Sequence, residues 1–132
     1  MRLASIGRAL LVWLLLMLAE TVHGIARTLL LEPLVGDLRA RQIAVFTGSL
    51  IIIAIAVITI RWIGERQPAR LLTIGALWVG LTVAFEMGLG RFVFGYPWAR
   101  LASDYDLTAG GLLPLGLLVM ALAPWIAARL RA

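Results

Sequence analysis

Four long apolar runs constrain this chain more tightly than any motif in it. They cover residues 9–31, 43–60, 71–90 and 112–128. A helix rises about 1.5 Å per residue, so about 20 residues cross a hydrocarbon core of roughly 30 Å. The second run holds no charge and is rich in Ile and Val, and the fourth is also uncharged. The chain has 132 residues, of which 62% are hydrophobic. That balance is too apolar for a soluble domain of this size. The runs predict an all-α integral membrane protein, a four-transmembrane-helix bundle forming one membrane domain over 1–132 with the lipid bilayer as its surroundings. Arg2 and Arg8 ahead of the first run imitate a signal peptide cut after Ala19. Met17 suits that cut poorly and the apolar run continues to Leu31, so an uncleaved span is expected.

The segments between the runs carry the helix breakers. Residues 32–42 hold Pro33 and Gly36 and are expected to form a loop, with Asp37, Arg39 and Arg41 at an interface. Residues 61–70 form a short turn, with Pro68 suited to a helix N-terminus. Within the third run, Gly80, Ala84 and Gly88 form a small-residue ladder suited to close helix packing. Gly75, Val79, Thr82 and Glu86 share a different face.

Residues 91–111 are the longest connection and the richest in aromatic residues. Trp98, Leu101 and Tyr105 recur at helical spacing after Pro97, while Arg100, Ser103 and Asp104 lie off that face. The pattern predicts an interfacial helix over 97–107, ended by Gly110 and Gly111. Tyr96, Trp98, Arg100, Asp104, Tyr105 and Asp106 are its candidate partner contacts. The bland alternative is simple anchoring at a membrane surface.

The first run contains Glu20, His23 and Arg27. At about 100° per residue, His23 falls at about 300° and Arg27 at about 340° from Glu20. The three share one stripe, which must face protein, water or a ligand, because a charge near a bilayer centre costs about 2.5–3.5 kcal/mol on insertion scales. They could neutralise one another as structural glue, or they could relay protons or hold a polar ligand. Four spans place both termini on one side. That side holds seven arginines (Arg2, Arg8, Arg61, Arg66, Arg70, Arg129, Arg131), against four on the other with Arg27 nearer to it. The excess predicts cytoplasmic termini. Trp13, Trp62 and Trp125 fall towards the same interface. Glu20, His23, Arg27, Glu86 and Arg91 should then gather at the opposite end, beneath the long loop, with Glu86 approaching Arg27 or His23.

Several functions are set aside by what the chain lacks. Without cysteine there is no disulfide, thiolate metal site or thiol catalysis. One histidine cannot ligate haem from both sides, and a transition metal would need Glu20 or Glu86 as unusual ligands. No catalytic set is legible, so a non-enzymatic protein without cofactor or metal is expected. All 12 basic residues are arginines placed at the ends of apolar runs, so the charge of +5 indicates topology and not nucleic-acid binding.

The stretches FEMGLGRFVFG at 85–95 and YPWARLASDYDL at 96–107 resemble uncharacterised small bacterial four-helix inner-membrane proteins. That resemblance implies a bacterial inner-membrane location and no activity. Glu20 in a first short span, with LWVG at 77–80, also resembles small multidrug-resistance transporters. His23, Arg27, Glu86 and the long 91–111 loop depart from that pattern. Two functions are expected to compete. One is a non-enzymatic accessory or assembly subunit, joined to other membrane subunits or to copies of itself. The other is a small proton-coupled transporter using Glu20, His23 and Glu86.

Overall fold

The helices do not stop where the apolar character stops. The computed structural model describes residues 2–132, of which 86% of the chain is helical, with no strand among them. Four helices are long and apolar enough to cross a membrane: α1 (Leu3–Val35), α2 (Asp37–Ile63), α3 (Pro68–Val93) and α5 (Leu113–Leu130). A short helix, α4 (Trp98–Ser103), lies in the connection between α3 and α5.

The loop expected at 32–42 is absent. Residues Arg27–Leu31 form a wide π turn, in which the Glu32 N–H donates to the Arg27 carbonyl five residues back. The widened turn absorbs Pro33, which has no N–H and whose ring would crowd the preceding turn of a regular helix. Gly36 alone then reverses the chain. Its φ of 88° suits a residue without a Cβ, and α2 starts at the next residue. Pro68 and Pro114 sit in the first turns of α3 and α5, where a missing N–H costs nothing.

α5 lies between α2 and α3, and α1 packs along α2. α1 meets α3 only over its first half, where Trp78 is fully buried and its indole N–H donates to the Ala9 carbonyl at 2.9 Å. Trp13 donates to Thr82 Oγ1 at 3.0 Å and meets Phe85 edge to face. Trp13 is therefore turned inward, unlike Trp62 and Trp125, and does not join an interfacial set. The main cluster of buried apolar residues runs from Ala9 to Met17, Ile52 to Ile63, Leu71 to Trp78 and Met120 to Ala127. All of these belong to the half of the bundle that carries the termini.

The small-residue ladder faces outward. Nothing lies within 4 Å of a Cβ placed on Gly80 or Gly88. The close approach is made instead by Gly75, where an added Cβ would overlap the Ala121 carbonyl of α5. The interior ridge of α3 is Leu71, Ile74, Gly75, Trp78 and Thr82. The outward face of α1 is apolar, with Leu11, Leu14, Leu18 and Val22 all exposed. No more than 28% of the most apolar window of any long helix is buried. An exposed apolar surface of this extent must be covered by something other than water.

Two predictions follow from the packing. Gly75→Ala should lower stability in detergent by about 1–3 kcal/mol, because two backbones must separate. Gly80→Ala, open to its surroundings, should be neutral or slightly stabilising; equal losses in the two melts would contradict the packing.

The second prediction concerns Glu65, in the turn between α2 and α3. The Ser5 hydroxyl faces its buried carboxylate without closing a regular hydrogen bond, and Arg70 approaches Glu65 Oε2 at 3.5 Å. The hydroxyl dipole foremost, then Arg70 and Arg2, hold the carboxyl below its ordinary range against the opposing effect of burial. A lowered carboxylate pKa stabilises the fold above the unfolded value of about 4.3, and that stability is lost as pH falls through the folded value. The wild-type melt should fall relative to Glu65→Gln as pH drops below about 4.3. A difference between the two that stays constant down to acid pH would remove the argument.

Candidate functional site

Beyond Met17 and Trp78 the bundle opens. A cavity of about 600 Å³ lies in the far half, lined by α1, α2, α3, α5 and the long connection. Glu20, His23 and Arg27 from α1 and Glu86 from α3 all line it. The helical stripe read from the sequence thus faces the interior of the open end.

His23 is the centre of the α1 group. Its Nε2 lies 2.6 Å from Thr47 Oγ1 on α2, and its Nδ1 lies 3.6 Å from Glu20 Oε2. With the proton on Nε2, the ring donates to Thr47 and turns a lone pair towards the Glu20 carboxyl. With the proton on Nδ1, the hydroxyl of Thr47 donates to the ring and the N–H faces Glu20. At 3.6 Å the ring and the carboxyl stand just beyond hydrogen-bond reach on the same helix, close enough for a charge on one to act on the other. Gly48 lets α1 carry Glu20 this close to α2, for a Cβ there would stand 2.9 Å from Glu20 Oε2. Glu20 Oε1 and Arg27 Nε are buried without hydrogen-bond partners.

Glu86 and Arg27 line the same cavity, but among the described residues no ion pair within 4.0 Å joins Glu86 to Arg27 or to His23. Arg27 stands near enough for its charge to act on Glu86 across the shared cavity, without a salt bridge between them.

The long connection closes the end of the cavity. Its helix α4 is six residues long, not the span of 97–107 expected, because Ser103 bonds back to the Arg100 carbonyl and Tyr105 N–H reaches only Ala102. Asp106 then caps a single 3₁₀ turn at Leu107–Ala109, accepting from the Thr108 N–H and hydroxyl. Leu101 is buried against Gly90, while Trp98 is exposed. Arg100 donates to both oxygens of Asp37 at 3.0 and 3.2 Å, and lies 4.2 Å from the Tyr96 ring centre. Arg41 pairs with Asp37 at 3.0 Å and with Asp104. Gln42 donates to the Gly110 carbonyl. These contacts fold the connection onto the start of α2.

The same network sets the charge states outside the helices. Burial opposes the charge on Arg100, but the hydrogen bonds and charge of Asp37 prevail and raise its pKa above the ordinary guanidinium range. Burial, with the Glu86 and Asp104 carboxylates, pushes the Tyr105 phenol up. The Thr108 side chain and N–H hold Asp106 down.

Of the residues selected from the sequence, Glu20, His23, Arg27, Glu86, Tyr96, Arg100, Asp104 and Tyr105 meet at the cavity. Arg91, Trp98 and Asp106 do not: Arg91 donates to the Tyr96 carbonyl and lies over the Trp98 ring, and Asp106 serves its own turn. Asp37, Arg41, Gln42 and Thr47 were missed as site residues. The Asp37/Arg41 spacing of four is legible as a helical ion pair, but Pro33 and Gly36 point to a loop over 32–42, which hides it. No group of three or more His, Cys, Asp or Glu able to hold a metal ion converges among the described residues. The chain matches no protein-family model, no curated protein and no solved structure. Its chemistry is therefore read from its own residues.

Asp37→Asn should release the latch. It removes the charge shared by two arginines and turns one acceptor oxygen into a donor at a partly exposed site, at a cost of about 1 kcal/mol. Faster proteolysis within 94–112, with little change in the overall melt, is the expected result. Unchanged cleavage would show that Gln42 and Leu101 hold the connection without the ion pairs.

Proposed function

We propose that the protein is a multi-pass membrane protein of the bacterial inner membrane, with cytoplasmic termini, and that its cavity serves as a proton-coupled site for a small polar solute. One observation carries the reading: Glu20, His23, Arg27 and Glu86 line a common open space, and Arg27 and Glu86 are not closed into a salt bridge. A structural brace would pair its charges, because an unpaired charge in apolar surroundings is costly. Here Glu86 and Arg27 remain available to a ligand, and the Glu20–His23–Thr47 series can load and release a proton. The excess of arginines at the end bearing the termini supports the orientation and turns the cavity away from the cytoplasm.

A second reading rests on a different observation. The outward face of Gly80, Ala84 and Gly88 is open and suits close packing by another membrane helix. This favours an accessory subunit, non-enzymatic and bound to a larger complex or to a second copy.

Reconstitution in liposomes with an internal pH-sensitive dye separates the two. Wild-type protein should dissipate an imposed pH gradient several-fold faster than Glu20→Gln protein of equal melting temperature. Equal rates in both, with a stoichiometric partner recovered in mild detergent, would transfer support to the accessory reading.

A further inference from the structure

A second cavity lies at the opposite end of the bundle, where α2 ends, α3 begins and α5 ends. It measures about 910 Å³. Arg61, Arg66, Arg129 and Arg131 line it, with Glu65 as its acidic side chain. Seven arginines gather at this end of the molecule, and five of them are engaged. Arg2 donates to the Gly64 carbonyl, Arg8 to that of Trp62, Arg61 to that of Arg131 and Arg131 to that of Val57. Arg70 is occupied by Glu65. These contacts satisfy carbonyls at helix C-termini, an ordinary use of arginine. Arg66 and Arg129 differ: neither has a hydrogen-bond acceptor among the described residues, and Arg129 lies over the Trp125 ring at 5.5 Å.

We propose that this cavity binds the headgroup of an anionic phospholipid, with its phosphodiester held by Arg66 and Arg129. A guanidinium fork matches two phosphate oxygens, and two unengaged forks in one cavity supply charge without requiring any existing bond to break. Glu65 does not compete, because Arg70 and the Ser5 hydroxyl face its carboxylate. The remaining wall is apolar, formed by Ile60, Leu71, Trp125 and Ala128. A soluble phosphate would gain nothing from that wall, whereas glycerol and the first acyl carbons of a lipid would lie along it. Basic pockets between helices on the cytoplasmic side suit anionic headgroups. The inference rests on the membrane reading and is independent of the proton-coupled site at the other end.

The test is native mass spectrometry of the full chain, released from micelles containing phosphatidylglycerol or phosphatidylcholine. Phosphatidylglycerol should be retained preferentially, and Arg66→Gln and Arg129→Gln should each weaken retention about fivefold. Arg39→Gln removes an equal charge from an exposed site at the far end and should leave retention unchanged. Absence of preference, or equal weakening by Arg39→Gln, overturns the proposal. Stabilisation by inorganic phosphate equal to that by phosphatidylglycerol, and abolished by the Arg66 and Arg129 variants, would reassign the site to a soluble anion. Flotation of the same protein with liposomes tests the membrane reading separately, so either failure can be told from the other.

Discussion

The indole of Trp78 joins α1 to α3 in the half of the bundle that carries the termini. Its N–H finds the Ala9 carbonyl, its rings fill the space between four helices, and Thr82 one turn further on receives Trp13. A buried aromatic residue of this size sets a minimum separation for the helices around it, and its polar atom requires a partner. Below this point the interior is filled with Ile, Leu, Met and Ala. Above it, α1 carries Glu20 and His23, which cannot take the place of apolar filling. The helices separate because nothing there rewards their contact.

The open half is shaped by local backbone features as much as by side chains. α1 contains a π turn at Arg27–Leu31, one turn before its end, and α3 finishes in one at Leu89–Val93. Such turns shift the phase of a helix and are frequent beside functional sites. In α1 the turn admits Pro33 and brings the chain to Gly36, so that α2 begins at once with Asp37. That early start gives the closing segment its anchor, since Arg100 and Arg41 both converge on the first turn of α2. A one-residue connection at Gly36 therefore decides how the longest connection in the chain is held.

The two ends of the molecule treat charge differently. At the end bearing the termini, arginines reach outward-facing carbonyls and leave Arg66 and Arg129 in a basic cavity. At the other end, acids and bases are interleaved, and those on α1 and α3 line an open cavity. The first arrangement favours contact with an anionic surface, and the second favours a small ligand or a proton. Both arrangements arise from the same four helices, whose outward faces remain apolar along their length.

Hydropathy is a sum over neighbours in sequence, so the number of long helices, the polar stripe of α1 and the separation of Gly75, Thr82 and Glu86 from the small-residue ladder could all be read directly from the residues. The helix ends could not, because Pro33 is accommodated by a π turn that no local preference announces, and α4 ends where Ser103 and Asp106 capture backbone groups. The direction of the Gly80–Ala84–Gly88 face was equally hidden: small residues permit close approach, but only the position of α5 shows that Gly75 makes it. The sequence by itself determined an all-helical chain with four apolar helices and an ionisable stripe in the first. The tertiary structure alone decided that Glu86 shares a cavity with Arg27 without pairing to it, and that Asp37 serves Arg41 and Arg100 together. Those relations join residues dozens of positions apart, and their distances depend on how the helices cross, a property of packing that no local window contains.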